Sequence, residues 1–201
     1  MTNRRLISIN EDFITEEEHL CFLELAKTLT EKDLWGKDVQ PDSLWYDRYF
    51  FLNELPYTEN GFGSTFDRKI FSKALEIRKR IQNAIVDFMK IDAPIYADCL
   101  QLNRWRPGDK QDPHADGEMA GEEKHPYPWR EYGSILYLNN EYEGGNLYFP
   151  QYDLELEPKP RMLGFFPGTL DYLHGVREIT NGTRYTLSAF WTTDIRHSDG
   201  M

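Results

Sequence analysis

At 201 residues the chain is long enough for one well-buried core and short for two domains of ordinary size, so a single domain over residues 1–201 is expected. Its 40% hydrophobic and 14% aromatic content supplies a packed interior. The formal net charge of −11 repels phosphate backbones and anionic headgroups, which disfavours nucleic acid and membrane surfaces as partners.

In chain order, a short strand-like run from Arg4 to Ile9 comes first. Thr15 can then cap a helix whose opening turn, Glu16, Glu17 and Glu18, suits the positive end of the helix dipole. Phe22, Leu25, Ala26 and Leu29 fall on one face of it. A second helix is marked by Ile70, Ala74, Ile77, Ile81, Ala84, Ile85 and Phe88 at helical spacing, with charged residues opposite. Both helices should cover a sheet, so residues 1–94 are read as helical support with leading strands and residues 95–193 as a β core.

From Ile95 onward the pattern changes to short runs rich in Tyr, Leu, Phe and Ile, separated by Gly, Pro and Asn. Turn signals at Pro107-Gly108, Gly144-Gly145, Pro158 to Pro160, Pro167-Gly168 and Asn181-Gly182 divide this segment into about seven or eight strands. Such a density of strands points to a sandwich or jelly roll. A Pro-rich, aromatic insertion from Gly117 to Tyr132 interrupts it. Two cysteines, Cys21 and Cys99, make no disulfide framework and suit a reducing compartment. The N-terminus turns polar early and no apolar run reaches membrane-spanning length, so a cytoplasmic location is expected.

The chemistry concentrates in a few residues. His114 and Asp116 stand two apart, so in extended backbone both side chains leave one face and can share a metal. His174, near the end of the strand-like run Thr169 to Val176, is the candidate third ligand. Two histidines and one carboxylate leave open coordination positions, as non-haem Fe(II) oxygenases require; a closed, thiolate-rich zinc shell is not available. Arg184 opens the strand Arg184 to Trp191, and an inward guanidinium there suits a two-pronged grip on a carboxylate. Thr186 and Ser188 share its face by alternation.

These residues stand within a series of motifs: Arg104-Trp105-Arg106-Pro107-Gly108, His114-Ala115-Asp116, Ile135-Leu136-Tyr137-Leu138-Asn139, Glu143-Gly144-Gly145-Asn146-Leu147-Tyr148-Phe149-Pro150, Glu157-Pro158-Lys159-Pro160-Arg161 and His174-Gly175-Val176. In that order, from about Leu100 to Trp191, the sequence resembles the 2-oxoglutarate and Fe(II)-dependent dioxygenases of the prolyl 4-hydroxylase-like superfamily. The resemblance implies a double-stranded β-helix, a distorted cupin-like jelly roll that is mainly β with supporting α-helices. It implies iron on His114, Asp116 and His174, the C5 carboxylate of 2-oxoglutarate on Arg184, and O2-dependent hydroxylation of a C–H bond with release of succinate and CO2. A metal kept as Fe(II) benefits from a reductant such as ascorbate. Asp116 argues against the halogenating branch, where a small residue replaces the carboxylate.

By the same resemblance, Tyr137 donates its hydroxyl to the C5 carboxylate, and Trp105 stands where many relatives have a second co-substrate-binding Tyr. Indole has one N–H donor and lacks a phenol's reach. His19, His125 and His197 are read as surface residues. Trp45, Tyr46, Tyr49, Tyr127, Trp129 and Arg130 are candidates for the mouth of the barrel. The resemblance implies a prolyl or other amino-acid residue of a peptide or protein as substrate. Alternatives from the same reading are a free amino acid or other small molecule, and a non-catalytic 2-oxoglutarate or metal-binding module.

Overall fold

The computed structural model describes residues 6–37, 40–54, 65–121 and 123–200. Helix α1 spans Glu16–Glu31 and starts with a reciprocal cap: the Thr15 hydroxyl accepts from the Glu18 amide, and the Thr15 amide donates to the Glu18 carboxylate. Glu18 also accepts from Arg80 of the second helix at 2.6 Å, which ties the two helices together at that end. Helix α2 spans Thr65–Met89. Its Ile70, Ala74, Ile77, Ile81 and Ile85 are fully buried, as are Phe22, Leu25, Ala26 and Leu29 of α1, and all belong to one apolar cluster. Among the described residues no helix is long and apolar enough to cross a membrane.

Among the described residues twelve strands occur: β1 (Ser8–Asn10), β2 (Tyr49–Phe51), β3 (Tyr96–Trp105), β4 (Gln111–His114), β5 (Tyr132–Tyr137), β6 (Tyr142–Gly144), β7 (Leu147–Phe149), β8 (Leu154–Leu156), β9 (Leu163–Pro167), β10 (His174–Val176), β11 (Ile179–Gly182) and β12 (Arg184–Thr192). The larger sheet runs β1-β9-β5-β12-β3-β2, a smaller one β4-β10-β7-β8, and β11 pairs with β6; every pairing is antiparallel. This is the double-stranded β-helix expected from the sequence.

Strand alternation divides the larger sheet into two faces. Leu100, Leu102, Leu136, Leu163, Phe165, Leu187 and Ala189 turn toward the helices and complete their cluster. The opposite face carries Gln101, Asn103 and Trp105 of β3 with Arg184, Thr186 and Ser188 of β12, in the register Trp105↔Arg184, Asn103↔Thr186 and Gln101↔Ser188. Tyr137 lies opposite Thr186 on the other flank.

Three expectations are corrected. Ten strands, not seven or eight, follow Ile95, because several have three or four residues and are too short to alternate visibly. His174 opens β10 and does not close a longer run; Leu170–Tyr172 before it is a single 3-10 turn. His19 is not at the surface: it is 8% exposed, and its Nε2 contacts the Leu138 carbonyl, so the imidazole satisfies a backbone group arriving from the far end of β5. The first strand begins at Ser8, and Arg4 lies outside the described residues.

Candidate active site

The smaller sheet brings the two histidines together by register. His114 and His174 are direct partners across β4 and β10, with ring centres 4.5 Å apart. Asp116 follows β4 by two residues, and its Oδ1 stands 3.8 Å from His114 Nε2 and 3.6 Å from His174 Nε2. The three candidate ligand atoms all lie within 4.8 Å of one another.

Each imidazole is oriented from behind. His114 Nδ1 is 2.9 Å from the Asp112 carbonyl and His174 Nδ1 is 3.1 Å from that of Tyr172. With Nδ1–H donating to a carbonyl, each Nε2 carries a lone pair aimed at the shared space. Asp116 Oδ2 is buried and has no hydrogen-bond partner among the described residues. Burial and the neighbouring His174 hold the His114 pKa below its ordinary value. Burial pushes the Asp116 carboxyl upward, but His174 and His114 outweigh it and hold it below the usual carboxylate range. Two imidazole nitrogens and one ionised carboxylate, whose second oxygen is buried without a partner among the described residues, fit a divalent metal that keeps open positions.

Two glycines make room for the carboxylate. A Cβ on Gly133 of β5 would lie 2.3 Å from Asp116 Oδ2, and one on Gly168 would lie 3.2 Å from Asp116 Cβ. Phe166 and Phe149 wall the far side of His174, with ring centres 4.3 Å and 5.9 Å from the imidazole.

From this cluster a cavity of about 440 Å³ runs along the inner face of the larger sheet to Arg184. Arg184 is 1% exposed, and its Nη1 donates to the Gly145 carbonyl at 2.5 Å. Its guanidinium carbon lies 4.8 Å from the Trp105 ring centre and 5.8 Å from that of Tyr137. It forms no ion pair with a carboxylate among the described residues, and its Nε has no partner there. The Tyr137 hydroxyl is likewise buried and unpartnered, and burial pushes its pKa up to about 12, so it stays a neutral donor. Thr186, Ser188, Trp105 and Trp45 line the cavity; Tyr137 and Tyr46 do not.

The segment after Asp116 closes over the mouth. Arg130 donates to Asp98 at 2.6 Å, and Trp129 donates to the same carboxylate oxygen at 3.2 Å. The Arg130 guanidinium also covers the Phe190 ring at 3.8 Å. His197 stacks on Trp129 at 3.9 Å and His125 lines the cavity; both are partly exposed and lie outside the metal cluster. Sequence reasoning overlooked the amide row Gln101 and Asn103, the anchor Asp98 and the aromatic Tyr142. The alternation of β3 was the available signal for the first pair.

Residues 100–192 match the model of the 2OG-Fe(II) oxygenase superfamily. Over that segment, a little under half of the chain, the sequence is similar to the 2OG-Fe(II) oxygenases. The chain is 30% identical over 145 residues to prolyl 3-hydroxylase 1 of Homo sapiens, an alignment covering 61% of this chain and 20% of that protein. It thus spans about a fifth of the length of the curated relatives it matches. A solved structure of the viral collagen prolyl hydroxylase of Paramecium Bursaria Chlorella virus-1, in complex with 2OG, superposes with a TM-score of 0.64 at 15% identity, over 96% of this chain and 98% of that one. The prolyl hydroxylase of Trichoplax adhaerens, solved with a hypoxia inducible factor peptide fragment, gives 0.65 at 14% identity over 95% and 85% of the two chains. At these identities the likeness is one of fold.

Proposed function

We propose that the chain is an Fe(II)- and 2-oxoglutarate-dependent hydroxylase acting on a prolyl or other amino-acid residue of a peptide or protein, with residues 1–201 working as one domain. One observation carries the reading: a buried guanidinium with no carboxylate partner among the described residues ends the same cavity that begins at an open-faced cluster of two histidines and one carboxylate. A lone buried cation is costly to maintain unless an anion completes it. A dicarboxylate with one end for a metal and the other for Arg184 meets both requirements.

In this reading His114, Asp116 and His174 hold the iron. The metal, when bound, activates O2 so that one oxygen atom enters a substrate C–H bond and the other enters succinate as 2-oxoglutarate loses CO2. The protein's own contribution is positional. Arg184 grips the distal carboxylate, with Trp105 stacked on the guanidinium, and the Tyr137 hydroxyl, off the cavity wall but with its ring centre 5.8 Å from the guanidinium, backs it as a second donor. Phe149 and Phe166 exclude water from the His174 side. A soluble reductant such as ascorbate would serve to keep the metal as Fe(II), and the two free cysteines suit a cytoplasmic setting.

A peptide substrate is supported by the mouth, where Tyr127 is 44% exposed beside the cavity, and by the names of the relatives. The test is anaerobic titration with Fe(II) and 2-oxoglutarate, followed by O2. A visible charge-transfer band and succinate are expected, and then the gain of one oxygen atom in proline-containing peptides. Metal binding without 2-oxoglutarate binding would overturn the assignment of Arg184; oxidation of free amino acids but not peptides would overturn the substrate class.

A further inference from the structure

The register of β3 and β12 sets Trp105 opposite Arg184, so an indole face, and no phenol, covers that side of the guanidinium. A phenol arrives instead from β6. Tyr142 packs with Trp105, Val176 and Ile179, and although its ring is only half-buried, its hydroxyl is fully buried and has no partner among the described residues. The Tyr137 hydroxyl and Arg184 Nε share that condition.

The three groups are neighbours. Tyr142 Cε2 and Arg184 Cδ lie 3.3 Å and 3.4 Å from a single point, the place a Cβ on Gly145 would occupy. Gly145 has a φ of +67 and offers its carbonyl to Arg184 Nη1. That left-handed turn, favourable for glycine, lets the tyrosine and the arginine close on one another. Burial raises the pKa of the Tyr142 hydroxyl, with Arg184 opposing and Tyr137 adding to the rise, so it too remains a neutral donor.

Buried hydroxyls normally find partners. Neither phenol lines the cavity, yet both stand beside the guanidinium that does. Their hydroxyls and Arg184 Nε form a donor set with no partner among the described residues, the Gly145 carbonyl taking only Nη1, and a carboxylate, with about four lone-pair sites, can take donors from all three. We propose that Tyr142 is a further co-substrate-binding residue, its hydroxyl donating to the distal carboxylate of 2-oxoglutarate alongside Tyr137 and Arg184. The second phenol that Trp105 cannot supply is thereby provided from a different strand. The inference rests on the reading of Arg184 given under the proposed function.

The experiment is calorimetric titration of the Zn(II)-loaded protein, in which no turnover occurs, with 2-oxoglutarate and with 2-oxobutyrate, which keeps the metal-binding keto acid but lacks the distal carboxylate. Loss of one hydrogen bond to a charged group in Tyr142→Phe should weaken 2-oxoglutarate on the order of tenfold and leave 2-oxobutyrate unchanged. Equal 2-oxoglutarate affinity in wild type and Tyr142→Phe overturns the proposal while leaving the role of Arg184 intact. Equal weakening of both ligands assigns Tyr142 to packing and overturns it as well. If wild-type protein binds 2-oxoglutarate no better than 2-oxobutyrate, the Arg184 reading itself fails and this inference falls with it.

Discussion

The glycine beside the carboxylate offers a test of the metal site that removes no ligand. In Gly133→Ala the new methyl would lie 2.3 Å from Asp116 Oδ2 and 3.0 Å from Phe166 Cε2, where ordinary contact begins at 3.4 Å. The carboxylate oxygen must therefore retreat by about 1 Å. It has little room to do so, since Asp116 is 6% exposed. Metal–ligand distances tolerate only about 0.2 Å, so the displaced carboxylate should cost roughly 10- to 100-fold in metal affinity, the range seen when the support of a ligand is removed. Overpacking of this kind also costs about 1–3 kcal/mol of stability. Equilibrium dialysis against Mn(II), with circular dichroism to show that the variant is folded, separates the two effects. A folded Gly133→Ala protein that binds metal with wild-type affinity would refute the close approach and with it the placement of Asp116 as a ligand.

His174→Ala should lose metal binding in the same dialysis, whereas Arg184→Met should keep it and lose at least roughly 100-fold in 2-oxoglutarate affinity by calorimetry; metal loss in Arg184→Met would contradict the separation of the two ends. Thr15→Ala removes the side-chain half of the α1 cap and should cost about 1 kcal/mol, lowering the melting temperature by about 2–4 °C; an unchanged melting temperature would show that the cap contributes nothing. For His114, burial and His174 place the folded pKa below the ordinary 6.5. The unfolded chain then binds more protons in that window, so the metal-free protein should lose stability as pH falls through 6.5 toward the lowered value. Melting curves of the metal-free protein should show a shallower acid slope in His114→Gln than in wild type, and coincident slopes would refute the shift.

Legibility followed the physics of each element. The face of α2 could be read because Ile70, Ala74, Ile77, Ile81 and Ile85 repeat at the helical period, and their burial needs nothing beyond that repeat. The ordered motifs named the metal cluster and Arg184. What places His174 against His114 is the register of β4 and β10, a pairing of distant segments that local pattern does not encode. The burial of His19 depends on a carbonyl at Leu138, and that of the Tyr142 hydroxyl on a glycine turn beside a three-residue strand. Such strands hold one or two side chains per face, too few to establish a period.

Why the distal group should be an arginine at the start of β12 also follows from register. Gly133, which receives the Asp116 carboxylate, lies opposite Phe190, and the inward positions between Phe190 and Arg184 on the same strand are Ser188 and Thr186. Each inward step along a strand spans about 7 Å, so the distance from the carboxylate end of the cavity to the guanidinium is fixed in whole steps of the β repeat. A slip of one residue between β12 and β5 would turn Arg184, Thr186 and Ser188 into the helix-facing cluster and bring Leu187 and Ala189 into the cavity, burying a charge in apolar packing and emptying the site at once. The helices that cover the outer face therefore act on the site without lining the cavity: by making the apolar set Leu136, Leu187 and Ala189 face them, they hold the register in which Arg184 faces the cavity whose other end is formed by the candidate ligands His114, Asp116 and His174.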